Sequence, residues 1–252
     1  ADGEALFGRN FDWNTCNAMV IQSQPENSYH SISTVNTDFI SMSGISLSTL
    51  PDEIQALAAL YAPLDGLNEM GLAISVNMIE ASATIEQNTD KPDITTTTAV
   101  RLLLDKAANV EEAIELLGSY DMHASSGYMV HFAIADKTGK SVVVEYINNE
   151  MLVTDTPAVT NFYLAEGEKN GIGTQQSHER YEILMNRLKD SETLEMNDVR
   201  DSLDSVSKDN FGEFESTEWG IVMNQTTGEV RYYHRENYNI AYTFTVTGGQ
   251  ES

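Results

Sequence analysis

Near its amino end the chain reads Gly8-Arg9-Asn10-Phe11-Asp12-Trp13, directly after the short apolar stretch Ala5-Leu6-Phe7, which we predict to be a strand. Arg9 and Asp12 place a guanidinium and a carboxylate three residues apart. Near the end of a strand, such groups on neighbouring positions could face into a site. The segment is equally compatible with an exposed arginine–aspartate pair, which would contribute little stability.

The rest of the chain mixes strand and helix patterns. Apolar runs and alternations predict strands, and apolar residues at helical spacing behind proline, threonine or acidic residues predict helices. The predicted strands are Ala18–Gln22, His30–Val35, Leu72–Ile79, Tyr128–Ala135, Ser141–Ile147, Pro157–Thr160, Glu218–Met223, Val230–His234 and Ile240–Val246. The predicted helices are Pro51–Leu60, Ala99–Asn109, Val110–Ser119, Gln176–Leu188 and Met196–Val206.

Several connections have a clear turn or cap composition. Asp65–Gly71 is predicted to be a turn, Gly139 suits a positive φ in a hairpin, and Thr95–Thr98 can cap the helix that follows. Strands, helix pairs and further strands follow one another without strict alternation, linker or repeat. This order predicts an α+β fold in which two antiparallel sheets stack and helices cover the outer faces, with residues 1–252 forming a single domain.

The charge of the chain limits its partners. Of its 252 residues 39 are acidic and 14 are basic, which gives a net charge of −25. A strongly negative surface repels phosphate backbones and anionic lipids, so we expect neither nucleic acid nor membrane-surface partners. No apolar run approaches the roughly 20 residues of a membrane span.

The composition also argues against metal and cofactor chemistry. The single cysteine, Cys16, excludes an internal disulfide and a cysteine-based zinc site. The five histidines are scattered without ligand spacing, and no phosphate loop or dinucleotide fingerprint is present. We therefore expect no metal and no cofactor. The lack of disulfides fits a bacterial cytoplasm, but exported or envelope proteins also lack them, so the compartment stays open.

Five motifs in the same order resemble the choloylglycine hydrolase and penicillin V acylase family, which is related to acid ceramidase and N-acylethanolamine acid amidase. They span nearly the whole chain. They are Gly8–Asp12, Asp65–Leu72 followed by Asn77, Val159–Phe162, Ser177–Tyr181, and Trp219 with the hairpin after it. The resemblance implies an N-terminal-nucleophile (Ntn) hydrolase with a four-layer αββα sandwich that cleaves a linear N-acyl amide. In this family the α-amine of an N-terminal cysteine serves as base for its own thiol, and an acyl-cysteine intermediate forms.

The resemblance also assigns roles to five side chains. Arg9 would favour the thiolate, and Asp12 would hold the terminal amine. Asn77 and Asn161 would donate hydrogen bonds to the developing oxyanion, and Arg180 would complete the polar network. If the role of Arg9 is electrostatic, replacing it by alanine should lower turnover and leave the fold nearly intact.

The position of the nucleophile is the point at which the chain departs from the family pattern. The family spacing places the cysteine and its strand just upstream of Ala1, whereas Cys16 follows the motif and is interpreted as a small structural residue. Two alternatives to hydrolysis stay open, namely a catalytically inactive amidase-fold binding protein and an acyltransferase that uses the same site. The Gly167–Gly173 loop is shorter than the family's tetramer insertion, so a homo-oligomer is possible but that tetramer is not expected.

Overall fold

The strand that carries Arg9 lies at the edge of the smaller of two antiparallel sheets. The computed structural model of the protein describes residues 3–15, 17–41, 49–80, 82–125, 127–189, 193–208 and 215–246. The smaller sheet has the strand order β1-β11-β12-β13. Its strands are β1 (Leu6–Trp13), β11 (Ser216–Asn224), β12 (Glu229–His234) and β13 (Tyr242–Thr245). Arg9 lies opposite Ile221 in the ladder between β1 and β11.

The larger sheet has seven strands in the order β10-β9-β8-β5-β4-β3-β2, and every neighbouring pair is antiparallel. Its strands are β2 (Ala18–Ser23), β3 (Ser31–Asn36), β4 (Asp65–Asn68), β5 (Ala73–Glu80), β8 (Met129–Ala135), β9 (Ser141–Ile147) and β10 (Glu150–Asp155). Two short strands, β6 (Asp93–Thr95) and β7 (Asp121–His123), pair in parallel apart from both sheets. The helices are α1 (Thr37–Ser41), α2 (Asp52–Leu60), α3 (Thr96–Lys106), α4 (Val110–Leu117), α5 (Gln175–Lys189) and α6 (Met196–Asp204).

Successive residues of β1 and β4 point to opposite faces of their sheets, and the neighbours on each face show that the two sheets lie between layers of helices. On β1, Gly8 faces α6 so closely that an added Cβ would lie 2.5 Å from Val199 Cγ1. The next residue, Arg9, faces the larger sheet and donates to backbone oxygens there. On β4, Gly66 in turn faces α3, because its added Cβ would lie 2.7 Å from Leu104 Cδ1. The order helix, sheet, sheet, helix is the predicted αββα sandwich.

Aromatic packing closes the space between the sheets beside β1. The rings of Phe11 and Trp219 stack with centroids 3.9 Å apart and planes inclined by 18°. The guanidinium of Arg9 lies 5.1 Å from the centroid of Phe11 and 5.9 Å from that of Trp219, within the range of a cation–π contact. Trp219 is fully buried, so β1 and β11 are fixed together at this point.

Most predicted elements are present with bounds shifted by a few residues. The Thr95 side chain caps α3 in a capping box with Thr98, as predicted, and Gly139 has a φ of 90°. The predicted end of the first strand is wrong, because β1 continues to Trp13 and contains the whole Gly8–Trp13 segment. The interpretation of Cys16 falls outside the described residues.

Other predictions fail for identifiable reasons. Asp65–Asn68 was expected to be a turn, but it pairs with β3 as strand β4, because the polar side chains that suggest a turn find buried partners instead. Pro157–Thr160 contains no strand. Strand β10 was not predicted, although Asn148 and Asn149, with φ of 53° and 64°, form the turn that leads into it. The short helix α1 was also missed, and β13 is shorter than predicted. No helix within the described parts of the chain is long and apolar enough to span a membrane.

Candidate active site

One cavity of about 790 Å³ lies along β1 and reaches both sheets and α5. The structure brings all five side chains singled out from the sequence to its wall. They are Arg9, Asp12, Asn77, Asn161 and Arg180. Residues from distant parts of the chain therefore share one site, although they do not form one continuous hydrogen-bonded network.

Arg9 is held by the larger sheet. Its Nη1 forms an ion pair with Asp65 Oδ2 and lies 3.2 Å from Leu64 O, while Nη2 donates to Val76 O at 2.9 Å. Trp219 Nε1 also donates to Asp65 Oδ2, at 3.2 Å. Arg9 is buried and pairs with Asp65, whereas Asp12 pairs with Arg180, so the alternative of an exposed pair between Arg9 and Asp12 is wrong. Arg9 Nε has no hydrogen-bond partner among the described residues.

Asp12 lies where the ladder between β1 and β11 is irregular. The register shifts between Phe11 and Asp12, and a bulge of this kind re-aims a side chain. Thr217 Oγ1 donates to Asp12 Oδ1 at 2.7 Å, and Arg180 Nη1 lies 2.5 Å from Oδ2. Lys208 Nζ lies 3.7 Å from the same oxygen. The carboxylate therefore faces two cations at the edge of the cavity.

Arg180 links Asp12 to Asn161. Its Nη2 donates to Asn161 Oδ1 at 2.8 Å, and Asn161 Nδ2 donates to Met78 O at 2.6 Å. The segment before Asn161 is tied to α5 as well, because Thr160 Oγ1 donates to Ser177 O at 2.9 Å. Among the described residues Asn161 Nδ2 has one acceptor for its two hydrogens.

Asn77 lies on β5 and forms no described hydrogen bond with Arg180 or Asn161. Its Nδ2 donates to Ser75 Oγ at 3.2 Å, and in the ladder it lies opposite His131 of β8. This amide nitrogen, too, has one acceptor for its two hydrogens among the described residues. Asn77 and Asn161 thus present comparable donors from two different elements.

Sequence reasoning missed a buried histidine–glutamate pair beside Asn77. His131 Nδ1 lies 3.1 Å from Glu145 Oε1, and both side chains are fully buried. Glu145 also accepts hydrogen bonds from the backbone N–H of Leu164 and of Ala165, just after Asn161. Burial works to raise the pKa of the Glu145 carboxyl, but the hydrogen bond and charge of His131 and the two backbone donors outweigh it, so the pKa lies below its usual 4.5.

The missed residues differ in how visible they are in the sequence. His131 and Glu145 interrupt apolar strands at positions whose neighbours are buried, and that interruption was an available signal. Asp65 was hidden by its turn-like neighbours. Nothing in the sequence marks Thr217 or Lys208. No group of three or more potential ligand side chains that could hold a metal ion occurs among the residues that the structure describes.

Comparison with known proteins places these features in a wider context. The family model for linear amide C–N hydrolases, choloylglycine hydrolase family, matches residues 1–164. A cysteine-to-alanine mutant of the conjugated bile acid hydrolase from Clostridium perfringens aligns with a TM-score of 0.70 and 18% identity, over 99% of this chain and 91% of that one. An arginine-to-leucine variant of the same hydrolase gives 0.69 and 17%, over 98% and 92%.

A third solved structure is more distant. Penicillin V acylase from Agrobacterium tumefaciens aligns with a TM-score of 0.55 and 17% identity, over 92% of this chain and 80% of that one. Comparison with curated protein sequences gave no match. At these identities the solved structures establish the fold alone, while the family model covers well over half of the chain.

Proposed function

The chain belongs to the choloylglycine hydrolase family of linear amide C–N hydrolases, and we propose that it hydrolyses an N-acyl amide through an acyl-cysteine intermediate whose nucleophile lies just upstream of Ala1. The observation that carries this proposal is the convergence of Arg9, Asp12, Asn77, Asn161 and Arg180 on one cavity. We assign all five to the catalytic machinery. The cysteine-to-alanine change in the Clostridium perfringens hydrolase, at its second residue, supports a nucleophile near the amino terminus.

The open edge of β1 offers a place for the strand that would carry the thiol. Within the described ranges β1 pairs with β11 only, and its whole length lines the cavity. A strand from the segment upstream of Ala1, added to this edge, would run alongside β1 past Asp12. That placement would bring an N-terminal α-amine to the Asp12 carboxylate.

The chemistry then follows from the positions of the five groups. The α-amine takes the thiol proton, and the thiolate attacks the amide carbonyl carbon. Arg9 favours the thiolate, because a nearby cation lowers the pKa of a thiol. The Nδ2 groups of Asn77 and Asn161 donate to the oxyanion. When the intermediate collapses, the amine leaves with the proton from the α-ammonium, and water releases the acid from the thioester.

The test uses the native protein with the residues that precede Ala1 and a panel of fluorogenic N-acyl amides. We expect acid and amine in equal amounts, inhibition by iodoacetamide, and an acyl adduct on the N-terminal cysteine in mass spectra of the trapped enzyme. Cys16→Ser should keep full activity, whereas serine at the upstream cysteine should abolish it.

Three results would contradict the proposal. Loss of turnover in Cys16→Ser would assign the thiol chemistry to the wrong residue. Binding of the panel without turnover, in a native protein whose intact mass begins at Ala1, would indicate a binding protein. Formation of a new amide with an added amine, without free acid, would indicate acyl transfer.

A further inference from the structure

The charges around the cavity restrict the substrates that it can accept. Resting on the proposed amidase function, we propose that the preferred substrate joins an apolar acyl chain to an amine portion without negative charge. All 14 Lys and Arg residues of the chain lie in its described ranges, so every such cation near the cavity can be assessed. Those that line it are Arg9, Lys140, Arg180 and Lys208.

The two arginines are already committed to carboxylates. Arg9 is 5% exposed and pairs with Asp65, which is fully buried. Arg180 pairs with Asp12, and both side chains are nearly buried. An anionic substrate group that recruited Arg9 would leave the buried Asp65 without its counter-ion, which is strongly unfavourable, and one that recruited Arg180 would have to compete with Asp12.

The two lysines are compensated as well. Lys208 lies between Asp12, at 3.7 Å, and Glu215, with which it forms a closer ion pair. It is therefore flanked by more negative than positive charge. Lys140 pairs with Glu111 at the more exposed rim of the cavity. Within the described part of the cavity wall, each lysine or arginine thus has a carboxylate partner.

Further carboxylates shift the balance to the negative side. Glu4 and Asp136 also line the cavity, and their described hydrogen bonds come from neutral donors. Glu4 accepts from Asn224, and Asp136 accepts from the side chain and backbone of Thr138 and from the backbone of Val110. The whole chain carries −25. The four cations at the cavity are thus accompanied by six carboxylates, four in the wall and the partners Asp65 and Glu111 behind it, so an anionic substrate meets net repulsion.

Apolar side chains supply most of the remaining wall. They come from both sheets and from the helices that cover them. Representative members are Phe39, Leu64, Met78, Ile79, Val130 and Leu184. An apolar wall with a few convergent polar groups suits an alkyl or aryl acyl chain whose amide bond meets the polar cluster.

The test compares two substrates that differ in one charge, N-decanoylglycinamide and N-decanoylglycine, with the native enzyme that retains its N-terminal cysteine. We expect kcat/KM to favour the glycinamide by roughly tenfold, the factor that one unit charge about 10 Å away gives at an effective dielectric constant of about 20. Added salt should reduce the preference, because screening weakens the repulsion.

A pair of variants isolates the electrostatic cause. Glu215→Gln removes one partner of Lys208, so kcat/KM for N-decanoylglycine should rise and the preference should fall by severalfold. Glu229→Gln is the matched control, because Glu229 pairs with Arg231 away from the cavity and has a similar exposure, 33% against 27% for Glu215. The control should leave the preference unchanged.

Each outcome bears on a definite claim. Equal or better hydrolysis of N-decanoylglycine would overturn the inference about charge while supporting amide hydrolysis. An unchanged preference in Glu215→Gln, or the same change in Glu229→Gln, would overturn its electrostatic cause. No hydrolysis of either substrate by an enzyme whose N-terminal cysteine still reacts with iodoacetamide would overturn the proposed function, and with it this inference.

Discussion

Arg180 and Asp12 are 168 residues apart in the chain, yet Arg180 Nη1 lies 2.5 Å from Asp12 Oδ2. The same guanidinium donates to Asn161 Oδ1 at 2.8 Å. One arginine on α5 thus orients both the carboxylate proposed to hold the α-amine and an amide proposed to stabilise the oxyanion. In the proposed mechanism, one arginine would therefore help to position both the nucleophile and the oxyanion.

Arg180→Ala should lower kcat/KM by about 10²-fold, because the Asn161 amide loses the partner that fixes its orientation, and losing one oxyanion donor typically has an effect of this size. The free energy of unfolding should fall by only about 1–3 kcal/mol, since Lys208 still faces Asp12. Steady-state kinetics and urea denaturation measure the two effects. Arg187→Ala, at an exposed position on the same helix, is the control, and an equal loss of kcat/KM there would refute the assignment.

Arg9→Met should lower the free energy of unfolding by about 3–5 kcal/mol, because it leaves Asp65 buried without a counter-ion. The sequence alone predicts little effect on the fold, and burial of the pair changes that expectation. Adding Asp65→Asn should restore much of the stability, since an asparagine oxygen can still accept from Trp219, while kcat/KM stays low. Urea denaturation of both variants provides the measurement. A single variant as stable as the unsubstituted chain would show that the ion pair is not needed.

Glu145 should make the fold sensitive to acid. Its pKa in the folded protein is below 4.5, so its contribution to stability is complete above that pH and disappears as the pH falls through the lowered value. Glu145→Gln should therefore be less stable at pH 7 and lose less stability between about pH 5 and pH 3. Urea midpoints across this range test the slope, with the exposed Glu150→Gln as control. Parallel profiles for Glu145→Gln and the unsubstituted chain would contradict the prediction.

Gly173→Ala should disturb the Asn161 segment. An added Cβ would lie 2.3 Å from Phe162 Cβ and 2.6 Å from Asn161 O, so the backbone that presents Asn161 would have to move. We expect a loss of about 1–3 kcal/mol in stability, as in other overpacked sites, and a fall in kcat with a smaller change in KM. Gly118→Ala is the control, because Gly118 does not line the cavity, its φ of −66° suits alanine and the new Cβ would lie no closer than 3.3 Å to its neighbours, so kcat should not change. Normal kcat in Gly173→Ala would show that the segment tolerates displacement.

The sequence predicts the layers of the fold better than the details of the site. Apolar periodicity identified most strands and helices, because burial of one face imposes that pattern directly. Asp65–Asn68 was misjudged because its polar side chains are satisfied by partners distant in sequence, Arg9 and the backbone of α3. Local composition carries no information about such partners.

In the candidate site, too, the residues could be predicted from the sequence but the contacts between them could not. Arg9, Asp12, Asn77, Asn161 and Arg180 could be named from motifs, and they line one cavity. Their catalytic roles stay predictions. The hydrogen bonds that orient them, such as the donation from Thr217 to Asp12, arise from sheet register and a bulge, and neither can be read from spacing.

The stacking of Phe11 on Trp219 gives the protein a built-in optical signal. The chain has two tryptophans: Trp219 lies beneath the Arg9 guanidinium, and Trp13 lines the cavity. Tryptophan emission therefore originates from the neighbourhood of the site. An acyl chain that enters should alter the Trp13 fluorescence, and disruption of the Arg9 pair should shift that of Trp219, so unlabelled protein can be titrated and its local unfolding followed with the same instrument.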